Sequence, residues 1–263
     1  MLSRLSMKAL RSAEVLGIRD VPTLFEHLYT YNSVPVTEAW ERRFPDASGV
    51  AKELGLLPGG ELSAVLEEHW VPVREEAGNG WLTWVRPSRY ERLAGTGPAV
   101  EFKLYLSPAV GALPATVAAL VETLSFTQAI SFKVGADAPG LLRPDKIIAY
   151  FRTLGDLAES AQRLADRLAG VLPQGVPFTA EIAGDGLLSW GVDPPARAKA
   201  LGNTAPSWRE WVCYQLAAAL VEAEKEDSGA DPIWQRALER LRQKGVQFER
   251  WLPVPAYWGS ALR

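Results

Sequence analysis

Three short runs decide how this chain is read: EFKLYL at residues 101–106, ISFKV at 130–134 and DKIIAYFR at 145–152. Apolar and polar residues alternate along each. A β-strand turns successive side chains to opposite faces, so alternation assigns each residue to a face. In the first run Phe102, Leu104 and Leu106 share one face, and Lys103 and Tyr105 the other. In the second, Lys133 opposes Ile130, Phe132 and Val134. In the third, Lys146, Tyr150 and Arg152 oppose Ile147, Ala149 and Phe151. Arg143 stands just before the third run, in a turn from Gly140 to Pro144. If the runs pair in one sheet, one face is a core and the other a cationic floor.

Such a floor has two readings. An antiparallel sheet often shows one face to water, and solvated lysines commonly fill it. The chain as a whole is acidic, however, with 28 Lys and Arg against 31 Asp and Glu. Lys103, Lys133, Arg143, Lys146 and Arg152 converge on this stretch, with Asp137 and Asp145 nearby. A local cationic cluster in an acidic chain points to an anionic ligand, most simply a phosphate.

At 263 residues and 48% apolar content, the chain is long enough to bury a sizeable core. A net charge of −3 argues against broad nucleic-acid binding, which needs a basic surface to displace counterions. No apolar run is long enough to cross a bilayer, and the opening MLSRLSMKAL lacks the apolar block of a secretory signal. The single cysteine, Cys213, cannot form an internal disulfide. These features are those of a reduced, cytoplasmic protein without a membrane or nucleic-acid partner. The two histidines, His27 and His69, lack metal-ligand spacing, and neither a P-loop nor a nucleophile elbow is present. No metal and no organic cofactor are implied.

The first third reads as helical. Helices are expected over 3–17 and 22–29, after Thr37, and over 49–57 and 62–70. A hairpin follows, with strands at 70–74 and 81–85 about an Asn79-Gly80 turn. This Trp-rich hairpin either covers the helices or offers a docking edge. Gly95-Thr96-Gly97-Pro98 reads as a joint. Beyond it, a helix over 112–124 connects the strands carrying Lys103 and Lys133 as a crossover would. Residues 135–144 are expected to form a loop, 156–172 a helix and 178–183 a short strand. Residues 184–195 are expected to form a long loop. Ser207 and Glu210 form a capping-box pair before a helix to about residue 225, and a last helix spans 232–244. The chain therefore reads as α+β, divided at 1–98 and 99–263.

From residue 101 onward the motifs EFKLYLSP, SFKVGAD, RPDKIIAYF, VPFT, GVDPP, SWREWVCYQLAAALVEA and GVQFERWLPVP, in that order, resemble the HopA-type effector family. That family occurs among bacterial type III effectors. It also includes stand-alone proteins of ribosomal-peptide biosynthesis, among them class V lanthipeptide and thioamitide pathways. A more distant likeness links the Phe-Lys-x-Tyr run to the Lys-x-His motif of phosphothreonine lyases and of the lyase domain in class III lanthipeptide synthetases. There the lysine removes the α-proton, the histidine protonates the leaving phosphate, and further cations hold that phosphate. The resemblance implies a phosphothreonine-lyase-like sheet packed by helices, Lys103 as base and Tyr105 where the histidine falls. It implies phosphate-binding roles for Lys133 and Arg143. Two departures accompany it: Tyr105 replaces a histidine, and Arg209 and Val212 stand where relatives carry a glycine and an arginine.

The implied reaction is β-elimination of phosphate from phosphoserine or phosphothreonine. A base must take a weakly acidic α-proton, and neighbouring cations and burial lower a lysine pKa towards that task. A planar guanidinium matches two phosphate oxygens, which makes Arg143 and Arg152 candidates. Lys146 is a further candidate, and so is each group's reading as a surface ion pair. Lacking a nucleotide-binding motif, the chain would act after a separate Ser/Thr kinase, in complex with it, on a phosphorylated precursor peptide. The second reading is a non-catalytic scaffold or effector that binds the phosphopeptide or the kinase with the same cradle.

Overall fold

A computed structural model of the chain describes residues 3–73, 80–87, 102–194, 202, 205–226 and 231–254. The joint expected at 95–98, the hairpin turn at 74–79 and Pro195 of the expected long loop lie outside the described residues. The chain forms two compact units. One comprises residues 33–175 and 182–190, the other 1–32, 176–181 and 191–263.

The second of these units is helical. It contains α1 (Arg4–Leu16), α2 (Val21–Thr30), α9 (Trp208–Glu224) and α10 (Ile233–Gln243). Ser3 and Asp20 cap the first two helices through their side-chain oxygens, satisfying backbone donors that a helix start leaves orphaned. The Ser207–Glu210 capping box forms at the start of α9 as its spacing predicts. Leu10, Leu28, Trp208, Leu216, Leu241 and Trp251 are core residues, and Cys213 is buried among them. Gly191 is required here, because a Cβ at that position would stand 2.7 Å from Cδ1 of Trp208. Arg209 is buried. Its Nη2 donates to the Tyr29 carbonyl at 2.7 Å and its guanidinium lies 4.7 Å from the Tyr29 ring centroid.

The first unit holds most of the sheet. Its helices are α3 (Glu38–Arg43), α4 (Ala47–Glu53), α5 (Ser63–His69), α6 (Leu113–Ser125), α7 (Ala138–Leu142) and α8 (Leu154–Arg167). The strands are β1 (Val71–Val73), β2 (Trp81–Val85), β3 (Phe102–Leu106), β4 (Ser131–Gly135) and β5 (Ile147–Phe151), followed by β6 (Ala180–Ile182) and β7 (Leu188–Val192). The seven strands lie in the order β1-β2-β4-β5-β3-β7-β6. β6 and β7 are where the chain passes between the two units. A separate two-stranded ribbon pairs β8 (Val246–Gln247) with β9 (Leu252–Pro253).

The α+β class is as the sequence predicts, and so is the crossover. β5 pairs antiparallel with both β3 and β4. The latter two therefore run parallel with β5 between them, and α6 joins them. Buried Phe132 marks the apolar face. Trp84 stacks on it with ring centroids 5.1 Å apart, and Trp70 meets it edge-on at 5.0 Å. The Trp70 indole in turn donates to Ser125 Oγ at the end of α6 (3.1 Å).

Two expectations are corrected. Residues 135–144 are not a plain loop. Asp137 accepts from Gly140 N at 2.7 Å and so caps α7, with Pro139 in the first turn. The turn is tight because Gly135 and Gly140 touch backbone to backbone; a Cβ on Gly135 would stand 2.3 Å from the Gly140 carbonyl carbon. Residues 184–195 are not one long loop either. Leu188 to Val192 form β7 beside β3, and only the segment around Gly184 and Gly186 turns.

The hairpin edge is also informative. Arg86 N donates to Ile130 O and Ala136 N to Gly80 O, so the even residues of β2 bond towards β4 and the odd ones towards β1. Val71 and Val73 pair with Val85 and Thr83. Pro72 therefore faces away from β2 and offers no N–H at the outer edge of the described sheet, which blunts it against further strand pairing.

Candidate functional site

The register places Lys103 and Lys133 on one face. Lys103 lies opposite Tyr150, and Tyr150 opposite Ser131. Tyr105 lies opposite Ile148, and Ile148 opposite Lys133. On β2, Thr83 stands opposite Lys133 and Trp81 opposite Gly135. Residues directly opposed across a ladder share a face. Lys103, Tyr105, Lys133, Ile148, Tyr150 and Trp81 therefore form one surface across four strands.

That surface is not an open floor of solvated lysines. Lys103 is 7% exposed, Tyr105 1% and Ile148 5%. β3 is buried on both faces. Exposure rises only towards β4, where Lys133 and Ser131 are half-buried, as is Tyr150.

Two aromatic rings organise the cations. Lys103 Nζ lies 5.3 Å and Lys133 Nζ 5.8 Å from the Tyr150 ring centroid, so the two amines are at most about 11 Å apart. Lys133 Nζ also lies 4.0 Å from the Trp81 centroid, and Arg143 Cζ 5.2 Å from the same ring. Lys133 and Arg143 are thus at most about 9 Å apart. A phosphate with a charge-assisted hydrogen bond on each side spans about 8 Å between two nitrogens. The upper limit for Lys133 and Arg143 is close to that span, and the one for Lys103 and Lys133 exceeds it. The ring faces, negative at their centres, offset the mutual repulsion of the cations.

Arg143 is held from behind. Its Nε donates to Asp145 Oδ1 at 2.5 Å and its Nη2 to Oδ2 at 3.1 Å, and the Asp145 side chain is 5% exposed. The pairing fixes the plane of the guanidinium and neutralises part of its charge.

Lys146 belongs elsewhere. It is fully buried, and its Nζ donates to Pro108 O at 3.0 Å and to Gln174 Oε1. Burial pushes its ammonium pKa down to about 7, while the adjacent Asp145 carboxylate opposes the shift. It is not the surface ion pair that its sequence context allows. Arg152 lies at the opposite end of β5, two residues beyond Tyr150. Six residues separate it from Lys146, about 20 Å of extended strand.

The register puts Lys103, Tyr105 and Lys133 on one face, as the alternation predicts, and Lys133 and Arg143 share the Trp81 ring. Sequence reasoning missed three participants. Trp81 was legible in principle, since alternation in WLTWV separates Trp81 and Thr83 from Leu82 and Trp84. Ile148 shares the face of Lys146 and Tyr150 by the same alternation. Gln174 had no local signal.

No protein-family model matches the chain, and a comparison with curated protein sequences finds no match. Solved structures do share its fold. An effector protein from Pseudomonas syringae pv. syringae strain 61 superposes with a TM-score of 0.54 at 14% identity, over 95% of this chain and 97% of that one. An effector protein from Pseudomonas syringae pv. tomato strain DC3000 does so with a TM-score of 0.50 at 11% identity, over 94% and 96%. The phosphothreonine lyase SpvC, an effector from Salmonella, gives a TM-score of 0.38 at 14% identity, over 70% and 89%. The chain therefore has the fold of the two Pseudomonas syringae effector proteins over nearly its whole length.

Proposed function

We propose that this protein is a phosphoserine/phosphothreonine lyase. Its substrate would be a ribosomally made precursor peptide that a separate kinase has phosphorylated, and its product a dehydroalanine or dehydrobutyrine. The observation that carries the reading is the convergence of Lys103, Lys133 and Arg143 around Tyr150 and Trp81.

In this reading Lys133 and Arg143 hold the phosphate, the guanidinium by two oxygens and the ammonium as a point charge. Lys103 takes the α-proton. The Cα–H electron pair becomes the Cα=Cβ bond, the Cβ–O bond breaks, and its electrons leave with the phosphate. Tyr105 donates a proton or a hydrogen bond to that leaving oxygen. Ile148 and the low exposure of the face exclude water, which strengthens each charge interaction. Lys146 supports the cradle through its bond to Gln174, and Arg152 is kept as a contact for the phosphate of a longer peptide.

A specific observation favours a second reading. Arg143 is already paired with Asp145, and a tyrosine stands where a lyase would carry its acid. A phosphopeptide- or kinase-binding scaffold needs no more than this. One experiment separates the two. The purified protein is incubated with the phosphorylated precursor, with and without the kinase, and the peptide is weighed by mass spectrometry. Loss of one phosphoric acid, abolished by Lys103→Ala, supports the lyase. Tight binding without loss supports the scaffold.

A further inference from the structure

Arg143 stands in irregular backbone between α7 and β5, and a loop-borne ligand arm needs outside support to hold its geometry. Neighbouring segments of the chain supply that support. The Leu142 carbonyl, immediately before Arg143, accepts from Gln174 Nε2 at 3.0 Å and from Val34 N at 2.9 Å. The Pro144 carbonyl, immediately after it, accepts from Ser107 Oγ at 2.7 Å. Ser107 Oγ accepts in turn from Gly175 N at 3.1 Å, and Ser107 O from Gln174 N at 2.7 Å. The Gln174 carbonyl oxygen receives Lys146 Nζ, whose other bond goes to Pro108 O.

The orientation of the Gln174 amide follows from its partners. An ammonium only donates and a backbone carbonyl only accepts, so the oxygen must face Lys146 and the NH2 must face Leu142. Gln174 thereby joins the buried Lys146 to the carbonyl beside Arg143.

We infer that Gln174 and Lys146 are positioning residues for Arg143: a Lys146–Gln174–Leu142 relay rooted in the buried Lys146, with Ser107 on the far side, sets where the guanidinium meets a phosphorylated ligand. The inference rests on reading Arg143 as a phosphate-holding group. Neither relay residue touches the ligand. Gln174 acts by fixing the Leu142–Arg143 peptide, and Lys146 by holding the Gln174 amide.

A double-mutant cycle on the full chain tests this, with a phosphothreonine peptide as the probe. Gln174→Met keeps the length of the side chain and removes both bonds. It is expected to weaken peptide binding about 10-fold, the scale of loss that a slightly misplaced group produces. In an Arg143→Ala background the same change is expected to cost less than about twofold, because a positioning residue has nothing left to position. An equal effect in both backgrounds, or none in either, overturns the inference. Should Gln174→Met fail to fold, Gln174→Glu serves in its place. Its carboxylate still partners Lys146 but cannot donate to Leu142 O.

A second readout is independent of catalysis. Arg143 Nε–H, bonded to Asp145 and close to Trp81, is expected to give a dispersed, slowly exchanging amide-region resonance, assigned by its loss in Arg143→Lys. In Gln174→Met that resonance should collapse towards the free-arginine position. If it stays unchanged, the relay does not position Arg143, whatever the binding result. If the wild-type protein neither binds nor converts the phosphopeptide, the lyase and scaffold readings both fall, and the resonance alone decides the positioning.

Discussion

Lys103 and Lys133 sit on strands that never touch, yet their amines approach one ring, that of Tyr150, at 5.3 and 5.8 Å from its centroid. The ring is carried by β5, the strand inserted between them. A single side chain thus neighbours two like charges carried by different strands.

The first prediction concerns that ring. Tyr150→Phe keeps the π-face and should bind phosphopeptide within a few-fold of wild type. Tyr150→Leu removes it from both lysines and should weaken binding by roughly 2- to 30-fold, given about 0.5–2 kcal/mol for a cation–π contact. Titration calorimetry with a phosphothreonine peptide distinguishes them. Equal affinities for the two variants would show that the ring contributes only volume.

Lys103 and Tyr105 should separate chemistry from binding. Lys103→Ala is expected to lower kcat by about 10²- to 10⁴-fold, the range for loss of a positioned base. Phosphopeptide affinity should change far less, since Lys133 and Arg143 remain. Tyr105→Phe tests the donor role. A kcat unaffected by Tyr105→Phe would assign the leaving-group proton to another donor.

Lys146 should leave a signature in the pH dependence of stability. Its pKa falls from an ordinary 10.5 to about 7 on folding. Between those values the unfolded chain binds the proton that the folded chain has released, so folding becomes more favourable as pH rises through the window. The contribution is fully present above 10.5 and is lost as pH falls through about 7. Urea midpoints measured from pH 7 to pH 10 should therefore rise more in the wild type than in Lys146→Met. Parallel curves would mean that Lys146 keeps its proton in the folded protein.

The turn that delivers Arg143 depends on two glycines in contact. Gly135→Ala would force a Cβ to within 2.3 Å of the Gly140 carbonyl carbon, which is backbone and cannot swing aside. A loss of at least about 1–3 kcal/mol of stability is expected, the usual cost of overpacking a closed site. Thermal melts measure it. Phosphopeptide affinity should fall further than stability alone accounts for, because the strain lies next to α7 and Arg143.

Much of the fold was legible because its signals are local. Alternation in EFKLYL, ISFKV and DKIIAYFR assigned Lys103, Tyr105, Lys133 and Tyr150 to one face, and the register confirms it. The Ser207–Glu210 cap and the crossover helix after β3 were equally readable. The loop expected at 184–195 hid β7, because Gly184 and Gly186 punctuate the segment just before its strand begins.

The chain's own pattern settles which side of a strand each residue faces, because the two-residue period is a property of the backbone alone. Which strands become neighbours is settled only by hydrogen bonding between segments far apart in sequence. That pairing set β5 between β3 and β4 and brought Trp81 of the hairpin beside Lys133. The burial of Lys146 is of the same kind: Pro108 and Gln174 lie 38 and 28 residues from it, and only folding closes them over its amine.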